Sequence, residues 1–382
     1  MTSLDTLPET AARAPLTLRA VLFQIHLYAG LVLCAALILL GLTGSLLVYH
    51  EELEAWLAPP PRAQTAGAPQ APGAIAGVAM AVRPGFVATQ IMLPEAAGAP
   101  ALVRLARALR EGEQQGGGHA GQGPQIFIDP VSLQLLETRD GPAVPILRFA
   151  HDLHGNLLMG QDGRRIVGWL GLAMLLLGLS GIVLWWPKPG RWCQAFTIRR
   201  KARGYTLMRD LHGAAGIWGL VVFLIVSLSG VAIAFPQTAG AVMGSKSPVP
   251  PRGGGAVAVS PAQFDAVALL ATAAVPGAHL MAVNAPRRKG QPFRITLTGA
   301  GSVEGAPAIT VSADPQKGVT EIRDPALLAT GDRLLVWQRP LHEGQGLGPL
   351  WRAAVFVMGF LPLLFAVTGV WMWLVKRRNG AS

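Results

Sequence analysis

The chain has 382 residues, of which 51% are hydrophobic and 14% charged, with a formal net charge of +11. Soluble domains carry about a quarter charged residues, so this balance excludes an ordinary soluble globular protein and points to a membrane protein. Two cysteines, Cys34 and Cys193, are too few and too far apart in the chain for a disulfide framework or a cysteine metal site.

In chain order, a tail over 1–19 carrying Arg13 and Arg19 precedes a first span at 20–50. Further spans follow at 166–187, 211–236 and 353–375, and none of the four contains Asp, Glu, Lys or Arg. Each is long enough to cross a hydrocarbon core of ~30 Å, which takes about 20 helical residues. The first exceeds the apolar core of a signal peptide and reads as a retained anchor. The connection 188–210 holds Lys188, Arg191, Arg199, Arg200, Lys201, Arg203 and Arg209, and the tail 376–382 holds Lys376, Arg377 and Arg378. Short basic connections stay in the cytoplasm. Both termini are therefore expected inside, and the long segments 51–165 and 237–352 outside. Topology accounts for the net positive charge, so no nucleic-acid partner is expected. Membrane lipids are the surroundings of the spans.

The chain reads as two tandem copies. His26 leads to Gly30 and Thr43-Gly44, as His212 leads to Gly216 and Ser229-Gly230, with 18 residues from histidine to second glycine in both. Five helical turns fit that interval, so each histidine shares a face with its glycines. His154 precedes Ser180-Gly181 by the same 27 residues, counted to the glycine, that separate His342 from Thr368-Gly369. The outer segments repeat IFIDPVSLQLLETRD (126–140) as TVSADPQKGVTEIRD (310–324), each a strand, an Asp-Pro turn and a second strand. The expected fold is a four-helix transmembrane bundle built from two parallel repeats about an axis along the membrane normal, with two small α+β outer domains. Segments 58–76 and 237–261 read as Ala/Pro/Gly-rich linkers, 112–123 as a glycine-rich loop, and 261–275 as a helix.

This duplication sorts the histidines. His26 and His212 are equivalents on the inner halves of spans one and three, and His154 and His342 are equivalents at the outer mouth. Two pairs of opposed imidazoles across a four-helix bundle suit two bis-histidine haems, of type b, with both axial positions filled for electron transfer. Gly30 and Gly216 lie one turn from their histidines, where a flat porphyrin needs bare backbone. The Ser/Thr-Gly pairs serve the same end or close helix packing. Zinc would want further ligands, although Asp152 and Glu343 adjoin the outer pair. His151 and His50 are alternatives for an outer ligand, and His119 and His279 are expected to be structural or solvated. Trp185, Trp186, Trp371 and Trp373 sit where an aromatic belt belongs.

The His-x3-Gly and Thr-Gly pattern of spans one and three, the Leu-His before spans two and four, and the outer Asp-Pro hairpins together resemble the PepSY-associated transmembrane helix family. Length and layout resemble in particular its inner-membrane ferric-siderophore reductases. That resemblance implies PepSY-like outer domains, a location in the bacterial inner membrane, and reduction of ferric siderophores in the periplasm to release iron. The parts expected inside hold no dinucleotide-binding fold, so electrons would come from a separate cytoplasmic donor or a quinol. No catalytic acid, base or nucleophile is required. A metal-ion or chelate permease with histidine-lined sites is the alternative, although the spans read as unbroken. A PepSY-type regulatory or binding protein is a third reading.

Overall fold

The computed structural model describes residues 17–107, 123–246, 256–299 and 301–380. Helix α1 (Leu18–Val48) is started by the Thr17 hydroxyl, which accepts from the Ala20 amide at 3.2 Å, and a short α2 (His50–Leu57) extends it. An extended run over 58–71 leads to α3 (Pro72–Val82), so the second part of the expected linker is helical. Four strands follow: β1 (Phe86–Met92), β2 (Ala101–Arg107), β3 (Gln125–Ile128) and β4 (Leu135–Arg139). Helices α4 (Pro145–Asn156), α5 (Gly160–Trp185) and α6 (Trp192–Ala195) complete the first half. The second half opens with α7 (Gly204–Ala234), α8 (Pro236–Val242) and α9 (Pro261–Ala274). Strands β5 (His279–Asn284), β6 (Phe293–Thr298), β7 (Ile309–Asp314) and β8 (Gly318–Arg323) precede α10 (Thr330–Glu343), α11 (Pro349–Met358) and α12 (Leu361–Gly380). The glycine-rich loop with His119, and Arg13, lie outside the described residues.

Among the described residues, four helical stretches are long and apolar enough to cross a membrane: α1, α5, α7 and the run 349–379. Three of them begin earlier than charge alone suggests, at Gly160 rather than 166, Gly204 rather than 211, and Pro349 rather than 353. Charged residues mark where apolar solvent ends, and they do not stop a helix. The 31 residues of α1 span about 46 Å at 1.5 Å per residue, so the helix must tilt or project beyond the hydrocarbon.

The fourth span is interrupted, contrary to the unbroken spans expected. Pro362 has no N–H for the Met358 carbonyl, and the Phe360 amide turns to Val357 at 3.1 Å. That frees the Phe356 carbonyl, which accepts from the Ser45 hydroxyl of α1 at 2.7 Å. Gly359 and Gly41 meet at this crossing, where an added side chain on either would strike the other's carbonyl. Around the bundle, α1 neighbours α5 and α12, and α7 neighbours the same two, so α1 and α7 stand diagonally opposite. The short α4 packs on α1 and α5, and α10 packs on α7.

Outside the bundle, the strands form one eight-stranded antiparallel sheet in the order β4-β3-β2-β1-β5-β6-β7-β8. Two small outer domains were expected, and the edge strands β1 and β5 pair, with Ile91 opposite Val283, and join the halves in this one sheet. Helices α3 and α9 pack together on one face over Ile91, Val103, Ile126, Val283, Ile295 and Val311, all 0% exposed. Helix α9 starts at a capping box in which the Ser260 amide donates to Gln263 at 2.8 Å. Both Asp-Pro hairpins close alike. Asp129 Oδ1 accepts from the amides of Val131 and Ser132 at 3.0 and 3.1 Å, and Asp314 Oδ1 from those of Gln316 and Lys317 at 2.9 and 3.1 Å. The turn ends at positive φ in each, on Gly318 in the second hairpin and on Leu133 (φ 61°) in the first.

Candidate functional site

The diagonal placement of α1 and α7 brings His26 and His212 together, with ring centroids 6.4 Å apart. Nearer the sheet, α4 and α10 bring His154 and His342 together at 6.0 Å. With a metal–nitrogen bond of about 2.0 Å and about 1.2 Å from nitrogen to ring centre, two imidazoles on opposite sides of one iron have centroids about 6.4 Å apart.

Hydrogen bonding fixes which nitrogen each ring has free. Thr368 Oγ1 donates its only proton to the Leu364 carbonyl at 2.7 Å, so it accepts from His212 Nδ1 at 2.8 Å. Ser180 likewise donates to Leu177 at 3.0 Å and accepts from His26 Nδ1 at 2.8 Å. In the sheet-side pair the partner is a carbonyl, which only accepts. His154 Nδ1 donates to Leu40 at 3.0 Å and His342 Nδ1 to Val226 at 2.9 Å, with Thr43 and Ser229 each at 3.2 Å. All four rings therefore carry the proton on Nδ1 and present the Nε2 lone pair. This is the second-sphere arrangement that orients a ligating histidine and raises its basicity. Burial pushes the His154 pKa down to about 4, with the neighbouring His342 adding to the effect, and burial also lowers that of His342. Both are neutral at pH 7.

The glycines divide their work differently from the sequence expectation. Gly44 and Gly230 seat the imidazoles rather than a porphyrin. A Cβ on either would lie 2.9 or 3.0 Å from Cε1 of His154 or His342. Gly30, with open space where a Cβ would stand, and Gly216 line a cavity of about 740 Å3 that surrounds His26 and His212. Its size is in the range of cofactor pockets, roughly 300–1,000 Å3. Its wall is mostly apolar, with Cys34, Phe223 and Phe365 among the lining, and Phe365 stands 4.8 Å from the His212 ring. Towards the connection that carries α6, the lining turns basic, with Arg19, Lys188, Arg191 and Lys376. The Arg199 guanidinium there is already clamped on Asp210 at 2.8 and 2.9 Å.

The remaining expectations sort themselves. The His151 side chain is 59% exposed and lies 3.9 Å from Asp152. His50 Nδ1 is bonded to the Leu47 carbonyl at 2.8 Å. His279 starts β5 at the surface. Asp152 and Glu343 are taken by Arg148 and Arg339, both at 2.9 Å. Among the described residues, no three His, Cys, Asp or Glu side chains converge on a metal position. Trp185 ties the connection to the bundle, donating to the Ala195 carbonyl at 3.0 Å and packing on Trp192 and Phe196. Sequence reasoning missed the hydroxyls of Thr43, Ser180, Ser229 and Thr368 as the histidines' partners. The Ser/Thr-Gly spacing was the signal, read then for its glycines. It also missed Arg352, which donates twice to the Val48 carbonyl, at 3.1 and 2.9 Å, pairs with Glu52 and covers Tyr49.

Fold and site thus define a membrane protein with four apolar helical spans, an antiparallel sheet outside them, and two facing histidine pairs stacked along the bundle. A family model described as the PepSY-associated TM region matches residues 23–376, and the chain belongs to that family. It is 30% identical over 276 residues to the Uncharacterized protein PA4219 of Pseudomonas aeruginosa. That match covers 62% of this chain and 65% of the relative, just under two thirds of its length.

Proposed function

We propose that this chain is an inner-membrane electron-transfer protein that binds two b-type haems and reduces ferric siderophores on the periplasmic side, releasing iron. The observation that carries the reading is the approach of the histidines in two facing pairs, His26 to His212 and His154 to His342, with ring centroids 6.4 and 6.0 Å apart. Each half of a duplicated chain would contribute one imidazole to each of two pairs at different depths. His26 with His212 would hold one haem, and His154 with His342 the other. Bound haem supplies one-electron redox chemistry, which the side chains lack. The residues would do the rest. Ser180, Thr368 and the Leu40 and Val226 carbonyls hold the imidazoles in line. The apolar cavity wall keeps water from the loop-side position, and Arg19, Lys188, Arg191 and Lys376 would neutralise haem carboxylates. With basic connections inside, both termini are cytoplasmic and the sheet is periplasmic. The electron source would be a separate cytoplasmic donor or a quinol. Oxygen-donor siderophores hold the hard ferric ion much more tightly than ferrous ion, so one electron loosens the complex.

The interrupted fourth span is the one feature that favours a permease. Its freed carbonyl is already engaged by Ser45, which closes the break against α1.

The deciding experiment is an absorbance spectrum of protein purified from haem-replete cells. A Soret band with split α/β bands on reduction, and two haems per chain, is expected. His212→Ala should retain one haem and reduce ferric hydroxamates more slowly in a ferrous-trapping assay. Protein with no Soret band would overturn the reading.

A further inference from the structure

The two halves of the bundle differ at their loop-side ends. The offset that pairs His26 with His212 also pairs Gln24 with Asp210 and Arg19 with Tyr205, and the offset that pairs His154 with His342 pairs Lys188 with Lys376. In the second half the chain supplies its own anion. Asp210 accepts from the Arg199 guanidinium at 2.8 and 2.9 Å and lies 3.4 Å from Arg209. The connection that carries Arg199 is held over this end by Trp218, which donates to the Phe196 carbonyl at 2.9 Å. In the first half an amide, Gln24, stands where that acid would be. There Thr17, Arg19, Phe23, Gln24, Leu184 and Lys376 line a groove of about 520 Å3 between the ends of α1, α5 and α12.

The cations of this groove have no counter-charge. Arg19 spends one N–H on the Leu184 carbonyl at 2.8 Å, and the Lys376 ammonium lies 5.5 Å from the centre of the Phe23 ring. Neither has a carboxylate partner among the described residues. Five N–H groups on arginine and three on lysine leave most donors unspent, and two like charges lining one groove repel until an anion joins them. Arg19, Gln24 and Lys376 are all exposed. From Gln24 an i, i+4 ridge runs down α1 through Tyr28 and Val32, 57% and 79% exposed, so polar donors give way to bare apolar surface along the span. A ligand that fits both parts is anionic at one end and apolar along its length.

We propose that this groove binds the phosphate of an anionic phospholipid, with Arg19 and Lys376 on the phosphate oxygens, Gln24 beside them and the acyl chains along Tyr28 and Val32. Basic pockets between spans hold such headgroups, and a guanidinium matches phosphate in both charge and hydrogen-bond geometry. The lipid supplies from the membrane the negative charge that Asp210 supplies within the other half. The proposal does not rest on the haem reading. Lys188 and Arg191 line the histidine cavity without lining the groove, and they remain available to a cofactor carboxylate there.

The test is native mass spectrometry of the full chain in detergent, titrated with dioleoyl phosphatidylglycerol or with dioleoyl phosphatidylcholine, which carries the same chains without net charge. The parent should prefer phosphatidylglycerol at least about tenfold, and Lys376→Gln should weaken its binding about fivefold. Gln24→Asp copies the acid of the other half and should abolish the preference, whereas Gln24→Asn and Lys201→Gln, on the connection outside the groove, should keep it. Near-ultraviolet circular dichroism checks that the variants fold. Equal affinity of the parent for both lipids, undiminished preference in Gln24→Asp, or displacement of the lipid by millimolar inorganic phosphate would each overturn the lipid site. Loss of a haem from Lys376→Gln with phosphatidylglycerol binding unchanged would assign the cations to the cofactor and overturn it too. Selective lipid binding by a protein that carries no haem would leave the groove standing and sink the reductase reading alone.

Discussion

Replacing Thr368 with valine isolates the tautomer lock of the loop-side pair. Thr368 is 1% exposed, and its hydroxyl accepts from His212 at 2.8 Å while donating to Leu364 at 2.7 Å. Valine keeps the branched shape and removes only the oxygen. The buried Nδ1–H then has no acceptor, which costs about 1–3 kcal/mol. Loss of a second-sphere partner lowers metal affinity roughly 10–100-fold, or about 1.4–2.7 kcal/mol at 1.36 kcal/mol per tenfold. The two figures agree, so the whole penalty should fall on ligand binding at this pair. Haem titrated into apo-protein and followed by Soret absorbance should show one site of parental affinity and one weakened 10–100-fold. Thr368→Ser should restore both, because Ser180 already does this work for His26. If the valine variant binds two haems as tightly as the parent, with unchanged electron-paramagnetic g values, the hydroxyl has no part in orienting the ring and the reasoning fails.

The sheet-side pair answers to different residues. Gly44→Ala and Gly230→Ala put a methyl 2.9 or 3.0 Å from an imidazole carbon, an overpacking cost of about 1–3 kcal/mol, so on the proposed di-haem reading each should weaken haem uptake at the sheet-side pair and spare the loop-side pair in the same titration. Leu158, 52% exposed, is held at φ 61° between α4 and α5. Leu158→Gly should raise stability by about 1 kcal/mol, read as a higher unfolding midpoint in detergent, and no change would mean the turn is unstrained. At Asp129, burial pushes the carboxyl up, but the amides of Ser132, Val131, Thr65 and Gln64 outweigh it and hold it well below the usual carboxylate range. A depressed folded pKa contributes stability above the unfolded value of about 3.9, and that contribution is lost as pH falls below it. Melting temperature should therefore drop on acidification below about pH 4, and Asp129→Asn should flatten that drop while lowering stability at pH 7.

Much of this protein was written in local pattern. The four apolar runs, the equal histidine-to-glycine intervals and the two Asp-Pro hairpins follow from hydropathy, helical periodicity and turn chemistry, each settled within a few tens of residues. Interval matching between the halves was enough to pair His26 with His212 and His154 with His342. Contacts between residues far apart in the chain were decided elsewhere. Pairing of β1 with β5 joins strands almost two hundred residues apart, and no alternation within either strand names its neighbour. The break at Gly359 depends on Ser45 of another helix donating to the Phe356 carbonyl, which the Phe360 amide has left for Val357. Which atom each Ser/Thr hydroxyl serves, and so which imidazole nitrogen is left free, depends on side-chain directions that spacing does not encode. Residue types and spacings determined that histidines would meet; only the packed structure determined which nitrogen they would offer, and what surrounds it.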